Sequence, residues 1–351
     1  MVDGGADGAV DGVVDGVVTG GPAAPRPVAL DVDTGVDDAL ALLFAVASPL
    51  VDLRLVTCVG GNADLDAVTA NTTAVLAVAG SDVPVHRGHA HPLSGPRPPA
   101  EAWHGVDGLM GCRPEVAARP VRPEHAVEAL AGLAVALADA GDPLTLVPLG
   151  PQTTVAAMLT GDPAAAGRLR LVHLMGGSGV GGNVTAAAEF NVHHDPEAAA
   201  AVVSSGVPVA MYGLEVFEHV RLPRADIDAL RAEQHPALRL AGELCHASAA
   251  RSGTDDACLG DAGAVVALVR PDLVRTEVRD VAVETGDGPA RGATVVDRRR
   301  GGRDRLWHGH PVTVHEEIDG PAVAAVWLAT LRDHYHSAST GGGAAPPVHF
   351  T

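Results

Sequence analysis

The densest chemistry in the chain is four carboxylates within eight residues, Asp31-Val32-Asp33-Thr34-Gly35-Val36-Asp37-Asp38, directly before an apolar run from Ala39 to Ala47. Carboxylates at such close quarters repel one another unless a cation or hydrogen bonds offset them. The apolar run predicts a helix whose first turn carries Asp37 and Asp38, where the backbone dipole favours negative charge. Asp31 and Asp33 are expected to leave the preceding strand toward the same mouth. Oxygen donors in this arrangement suit Ca2+ or Mg2+. Helix capping accounts for one carboxylate, not four. His86, His89 and His91 form a second cluster of possible ligands, but they sit beside Gly88 and Pro92 with no fourth ligand, which zinc geometry wants.

Positioning these groups takes a framework, and the chain alternates the runs that build one. Residues 28–30, 53–59, 144–149, 169–175 and 207–212 read as strands. Residues 64–79 before Gly80, 125–140 before Gly141, and 196–204 with Pro196 in the first turn read as helices. That rhythm means βαβ crossovers: an α/β fold, with one domain, a mostly parallel central sheet and helices on both faces. In such sheets ligands sit at the carboxyl ends of the strands. Residues 85–124 carry prolines at 92, 96, 98, 99, 114, 120 and 123 and are expected to form a long surface excursion of the kind used as lids.

Composition narrows the rest. Of 351 residues, 43 are Asp or Glu against 24 basic residues, all arginine, a formal net charge of -19 that argues against nucleic acid as a partner. Four cysteines, Cys58, Cys112, Cys245 and Cys258, with no CxxC pair, argue against a disulfide scaffold or thiolate metal site and for a reducing, cytoplasmic location. No apolar run approaches the roughly 20 residues of a membrane span, and no Arg precedes Arg26 to make a signal-peptide n-region. Residues 1–26, with Asp-Gly repeats at Asp3, Asp7, Asp11 and Asp15, are expected to be a flexible acidic tail, 27–336 the folded domain, and 337–351 a second flexible tail.

The strand followed by Asp-x-Asp-x-Gly-x-Asp-Asp-Ala, filled here by Asp31 through Ala39, resembles the fingerprint of the inosine-uridine preferring nucleoside hydrolases. The resemblance continues in order through Val59-Gly60-Gly61-Asn62 and Asn71, His104-Gly105-Val106-Asp107-Gly108-Leu109, Val147 to Thr153, Met175-Gly176-Gly177, Gly182 to Thr185, Ala188-Glu189-Phe190-Asn191, Asp195 to Ala198 and Arg291 to Asp297. It implies calcium-dependent hydrolysis of ribonucleosides to base and ribose, a role in purine and pyrimidine salvage, and a homodimer or homotetramer. It further implies a Ca2+ held by Asp33, Asp38, the backbone carbonyl of Leu149 and Asp261. Asp37, Asn183, Glu189 and Asn191 would bind the ribose hydroxyls, Met175 and Asn62 would also face the sugar, His104 would lie near the base, and Asp33 would accept a proton from water. Taken alone, Asn183, Glu189 and Asn191 are equally compatible with loop turns.

One position departs from the family's pattern. Where a histidine commonly precedes the late aspartate, the chain reads Leu259-Gly260-Asp261. Glycine donates no proton, so Gly260→His is expected to improve natural nucleosides selectively, unless Asp256, His246 or Arg251 supplies a substitute. Two other classes compete. Asp31-Val32-Asp33 also resembles the opening of haloacid dehalogenase-type phosphatases, which normally hold phosphate with a lysine, absent here, and want a further aspartate where Val265 stands. A non-catalytic ribose- and calcium-binding member of the hydrolase fold is the other. Deleting residues 1–25 should leave the melting temperature and any turnover unchanged, because that segment has no core-forming pattern; a several-fold loss in either would assign it a structural role.

Overall fold

The computed structural model describes residues 25–95, 105, 107–117, 119–299, 307 and 309–340. Eleven strands are described: β1 (Arg26–Val32), β2 (Val51–Cys58), β3 (Val85–Arg87), β4 (Thr145–Pro148), β5 (Leu171–Met175), β6 (Val209–Tyr212), β7 (Arg221–Pro223), β8 (Asp256–Cys258), β9 (Val274–Val283), β10 (Thr294–Val296) and β11 (His310–Ile318). Nine of them form one sheet in the order β10-β9-β11-β6-β5-β4-β1-β2-β3, and β7 pairs with β8 apart from it. From β3 to β11 every pairing is parallel; β9 alone is reversed, pairing antiparallel with both β11 and β10. The fold is therefore the expected single α/β domain with a mostly parallel sheet and a short antiparallel extension.

β1 is central, and its buried run Pro27–Val32 reflects a sheet covered on both faces. The chain winds outward from β1 to β2 and β3, then returns to place β4 on β1's other side. This reversal opens a crevice between the carboxyl ends of β1 and β4, and the backbone pins its rim: Leu149 N–H donates to the Asp31 carbonyl at 2.8 Å.

Helix α1 (Val36–Ala47) follows β1 and is buried on nearly every side, as its uniformly apolar sequence requires. The C-terminal helix Gly320–Thr340 covers it, with Trp327 Nε1 donating to the Leu40 carbonyl at 3.2 Å and Tyr335 Oη to the Leu43 carbonyl at 3.2 Å. That helix runs past residue 337, where a flexible tail was expected. The helices Leu65–Val78, Ala126–Asp139 and Pro196–Val203 lie within a residue or two of the expected ranges. No helix among the described residues is long and apolar enough to cross a membrane.

Under β5, β6 and β11 lies a pair of buried histidines. His173 Nε2 is 3.1 Å from the Ala264 carbonyl and His315 Nδ1 3.0 Å from the Met211 carbonyl, with the rings edge to face at 5.1 Å. Burial, then the neighbouring His315, depresses His173 to about 3; burial, opposed by the Met211 carbonyl, depresses His315 to about 4. Both are neutral in the native state, so the unfolded chain binds protons first as pH falls below ~6.5. Stability should thus decline between about pH 6.5 and 4, by about 1.4 kcal/mol per pH unit from His315 alone. Urea unfolding of wild type and His315→Gln should give a shallower decline in the variant; parallel profiles would contradict the assignment.

Candidate active site

The crevice holds a cavity of about 470 Å3 lined by side chains from the loops after β1, β4 and β5 and from the helices Pro236–Ser252 and Asp261–Val269. Its floor is acidic. Asp38 is fixed at the start of α1, where its Oδ2 accepts from Gly35 N–H at 2.9 Å and Asn62 Nδ2 at 3.2 Å, and its Oδ1 from Asp33 N–H at 3.2 Å. Asp33 in turn accepts from Asn62 N–H through Oδ2 at 2.7 Å. Gly61 and Gly150 close around Asp33: a β-carbon at Gly150 would lie 2.8 Å from its Oδ1, and one at Gly61 would collide with its Oδ2. Glycine is needed at both positions so that backbone can approach the carboxylate.

Asp37 and Asp38 bring ligand oxygens within 4.8 Å of one another and of Asp261, which begins the late helix. Burial raises Asp33, Asp38 and Asp261 well above the ordinary carboxylate range; after burial, the largest contribution comes from Asp38 for Asp33 and from Asp37 for the other two. Asp37 Oδ1 is buried without a hydrogen-bond partner. An acidic, oxygen-only donor set with an orphaned oxygen fits a hard divalent cation. The Leu149 carbonyl, beside them on the cavity wall, accepts from Asn191 Nδ2 at 2.7 Å.

Opposite stand groups suited to hydroxyls. Glu189 caps the helix Phe190–His194, accepting from Asn191 N–H and Gly177 N–H, both at 2.9 Å, and burial raises its pKa. Asn191 Nδ2 also reaches the Met175 carbonyl at 3.2 Å. Asn62 and Met175 line the same cavity, as does exposed Asn183, whose Oδ1 accepts from Phe190 N–H at 2.9 Å. Asn183 thus makes a turn contact and faces the cavity as well.

Some expectations change. Asp31 is absent from the cavity wall: its side chain turns toward β2, where Thr57 Oγ1 donates to Oδ1 at 2.6 Å, and burial pushes it up to about 7. β1 ends at Val32, so Asp31 is held within the strand against β2 while Asp33 lies beyond its end. His86 bonds the Glu124 carbonyl at 3.0 Å and His89 packs edge to face on His125, so neither belongs to a zinc site among the described residues. His104 lies outside the described residues. His246 and Arg251 do not line the cavity, and Asp256 is ion-paired with Arg221. Asn71, by contrast, ties the proline-rich excursion to the exit of β1, donating to the carbonyls of Thr34 at 3.1 Å and Asp107 at 2.7 Å. Sequence reasoning missed Met110, Phe217, Arg221, Ser248 and Ser252 on the cavity wall. The one signal was Phe217, a rare aromatic in a chain with four phenylalanines; Met110 shows itself only by its backbone, at φ 52°.

Gly260 has φ 49°, and a β-carbon there would lie 2.7 Å from the Phe217 ring and 2.8 Å from Asp37 Oδ2. A side chain at this φ is strained and requires Phe217 and Asp37 to shift, so Gly260→His would disturb Asp37 as well as add an acid.

Fold and site together define a class: an α/β enzyme that presents carboxylates and amides to a sugar-sized, polyhydroxylated ligand at the switch point of its sheet. Residues 28–325 match the family model for inosine-uridine preferring nucleoside hydrolases. The pyrimidine-specific ribonucleoside hydrolase RihA of Photobacterium profundum is 38% identical over 280 residues, 78% of this chain and 89% of that protein. The non-specific ribonucleoside hydrolase RihC of Klebsiella pneumoniae is 38% identical over 275 residues, 77% and 88% of the two chains. Among solved structures, a plant nucleoside hydrolase aligns with TM-score 0.78 at 29% identity, covering 88% of this chain and 99% of its own. A purine-preferring ribonucleoside hydrolase from Gardnerella vaginalis aligns at 0.76 and 27%, with the same coverage. The chain belongs to the inosine-uridine preferring nucleoside hydrolase family and is an enzyme that cleaves N-glycosidic bonds.

Gly260→Ala and Gly260→His should each lower stability by about 1–3 kcal/mol, the usual cost of a strained backbone. Denaturant melts check this; an unchanged midpoint in both variants would mean that position 260 relaxes freely.

Proposed function

We propose that the protein hydrolyses the N-glycosidic bond of ribonucleosides with one Ca2+ bound, releasing free base and ribose. The observation that carries this is the convergence of Asp37, Asp38 and Asp261, with an unpartnered buried oxygen, on the cavity that also contains Glu189 and Asn191. Asp33, Asp38, Asp261 and the Leu149 carbonyl would hold the ion, with Asp37, whose oxygen lies within 4.8 Å of those of Asp38 and Asp261, between the ion and the sugar; the ion when bound supplies a positive charge that orients a water and makes it more acidic. Asp33, its Oδ2 already held by Asn62 N–H, accepts the proton of the attacking water. Asp37, Asn183, Glu189 and Asn191 receive the ribose hydroxyls, and Asn62 and Met175 close around the sugar. The carboxylates stabilise the positive charge that develops on the ribose as the glycosidic bond lengthens. His104 is assigned to the base side.

The relatives named above divide among pyrimidine-specific, non-specific and purine-preferring activities, so the base is a matter for experiment. Salvage of nucleosides in the cytoplasm by a homodimer or homotetramer belongs to the same proposal, and the four free cysteines support a reducing compartment.

Ribose release from inosine, uridine, cytidine, adenosine and a nitrophenyl riboside tests the activity. Chelation should abolish turnover and lower the melting temperature, Ca2+ at 100 times its Kd should restore about 2.7 kcal/mol, and Asp38→Ala should lose that response. Full turnover by demonstrably metal-free protein would overturn the metal assignment, and absence of ribose release from every substrate would overturn the activity.

A further inference from the structure

The cavity lining is mostly acidic. Phe217, Arg221, Ser248 and Ser252 line it together with the carboxylates of Asp33, Asp37, Glu189, Glu218 and Asp261. Among the described residues of this lining, Arg221 is the one cation and no histidine is present. Its position is set by a separate structural unit, the β7–β8 pair, whose register puts Arg221 opposite Cys258, two residues before Gly260. Across the same pair Arg221 Nη2 donates to Asp256 Oδ1 at 2.7 Å, so one edge of the guanidinium is held and other N–H groups stay available. With side chains 35% and 40% exposed, the ion pair contributes little to stability. Its consequence is orientation.

Phe217 completes the arrangement. Its ring and Asp37 Oδ2 both lie within 3 Å of the place a β-carbon of residue 260 would occupy. The ring therefore fills the space beside Asp37, and Phe217 and Arg221 line the same cavity as Asp37, Glu189 and Asn191.

We propose that Arg221, aimed by Asp256, stabilises the departing base, with its guanidinium donating hydrogen bonds to the base as the glycosidic bond breaks. The proposal rests on the hydrolase activity proposed above. In the step, the C1′–N bond breaks with both electrons going to the base, and the oxygen of the attacking water forms the new C1′–O bond. The proton of that water passes to Asp33 and from there to solvent. The base leaves as an anion paired with the guanidinium and takes its proton from solvent water. A guanidinium stays protonated at any working pH, so Arg221 acts as a fixed charge and not as an acid. This removes the need for a proton donor at position 260.

The test compares kcat and KM for uridine and for 4-nitrophenyl riboside, whose leaving group needs little help, in wild type, Arg221→Gln, Arg221→Lys and Asp256→Asn. Losing a donor aimed at developing charge typically costs 10²- to 10³-fold. Arg221→Gln should therefore lower kcat on uridine by roughly that factor more than on the nitrophenyl riboside, with the loss in kcat and not in KM. Arg221→Lys should recover part of it, and Asp256→Asn, which frees the guanidinium without removing it, should give a smaller loss of the same selectivity. Equal losses on both substrates, or none, would overturn the proposal. If Arg221→Gln does not fold, the substrate ratio of Asp256→Asn decides on the same criterion. Wild type that releases ribose from neither substrate would instead refute the hydrolase activity itself.

Discussion

Buried negative charge at the carboxyl end of β1 is the constraint on which the rest of the structure depends. Asp33, Asp38 and Asp261 are all but sealed from solvent, and Asp37 joins them half-buried. Desolvation and the repulsion of neighbouring carboxylates push the pKa values of Asp33, Asp38 and Asp261 up, the signature of a site that wants a countercharge. The backbone N–H groups of Gly35, Asp33 and Asn62 satisfy part of that demand. What they leave, including the lone Asp37 oxygen, is suited to a divalent cation.

Holding that charge in place explains features far from the chemistry. The helix carrying Asp37 and Asp38 is apolar around its circumference and needs cover, which the C-terminal helix provides through Trp327 and Tyr335. Gly61 and Gly150 allow two backbone segments from different strands to close on Asp33. Asn191, proposed to meet the ribose, donates to the Leu149 carbonyl, proposed to meet the metal, so one hydrogen bond joins the two walls of the site.

Much of this was legible in the sequence because it is local. The Asp31–Asp38 run, the alternation of strands and helices, and the ordered motifs through Asn191 depend on spacing along the chain, and their elements fall where that spacing puts them. Asp31 misled because proximity in sequence does not reveal where the strand ends: Asp31 lies within β1 and bonds Thr57, while Asp33, past the last strand residue, enters the cavity. Gly260 misled for a different reason: its identity reads as a missing histidine, whereas its positive φ and the Phe217 ring beside it favour glycine. Arg221 was invisible as a site residue because tertiary pairing of β7 with β8, and not sequence order, brings it to the cavity.

The central claim is that the carboxylate centre exists to hold one divalent cation, and calorimetric titration of chelator-stripped protein with Ca2+ tests it most directly. The account predicts saturable binding of about one ion per chain that Asp261→Asn severely weakens while the variant remains folded. Folded wild-type protein that takes up no Ca2+, or an Asp261→Asn variant that binds as tightly as wild type, would contradict it.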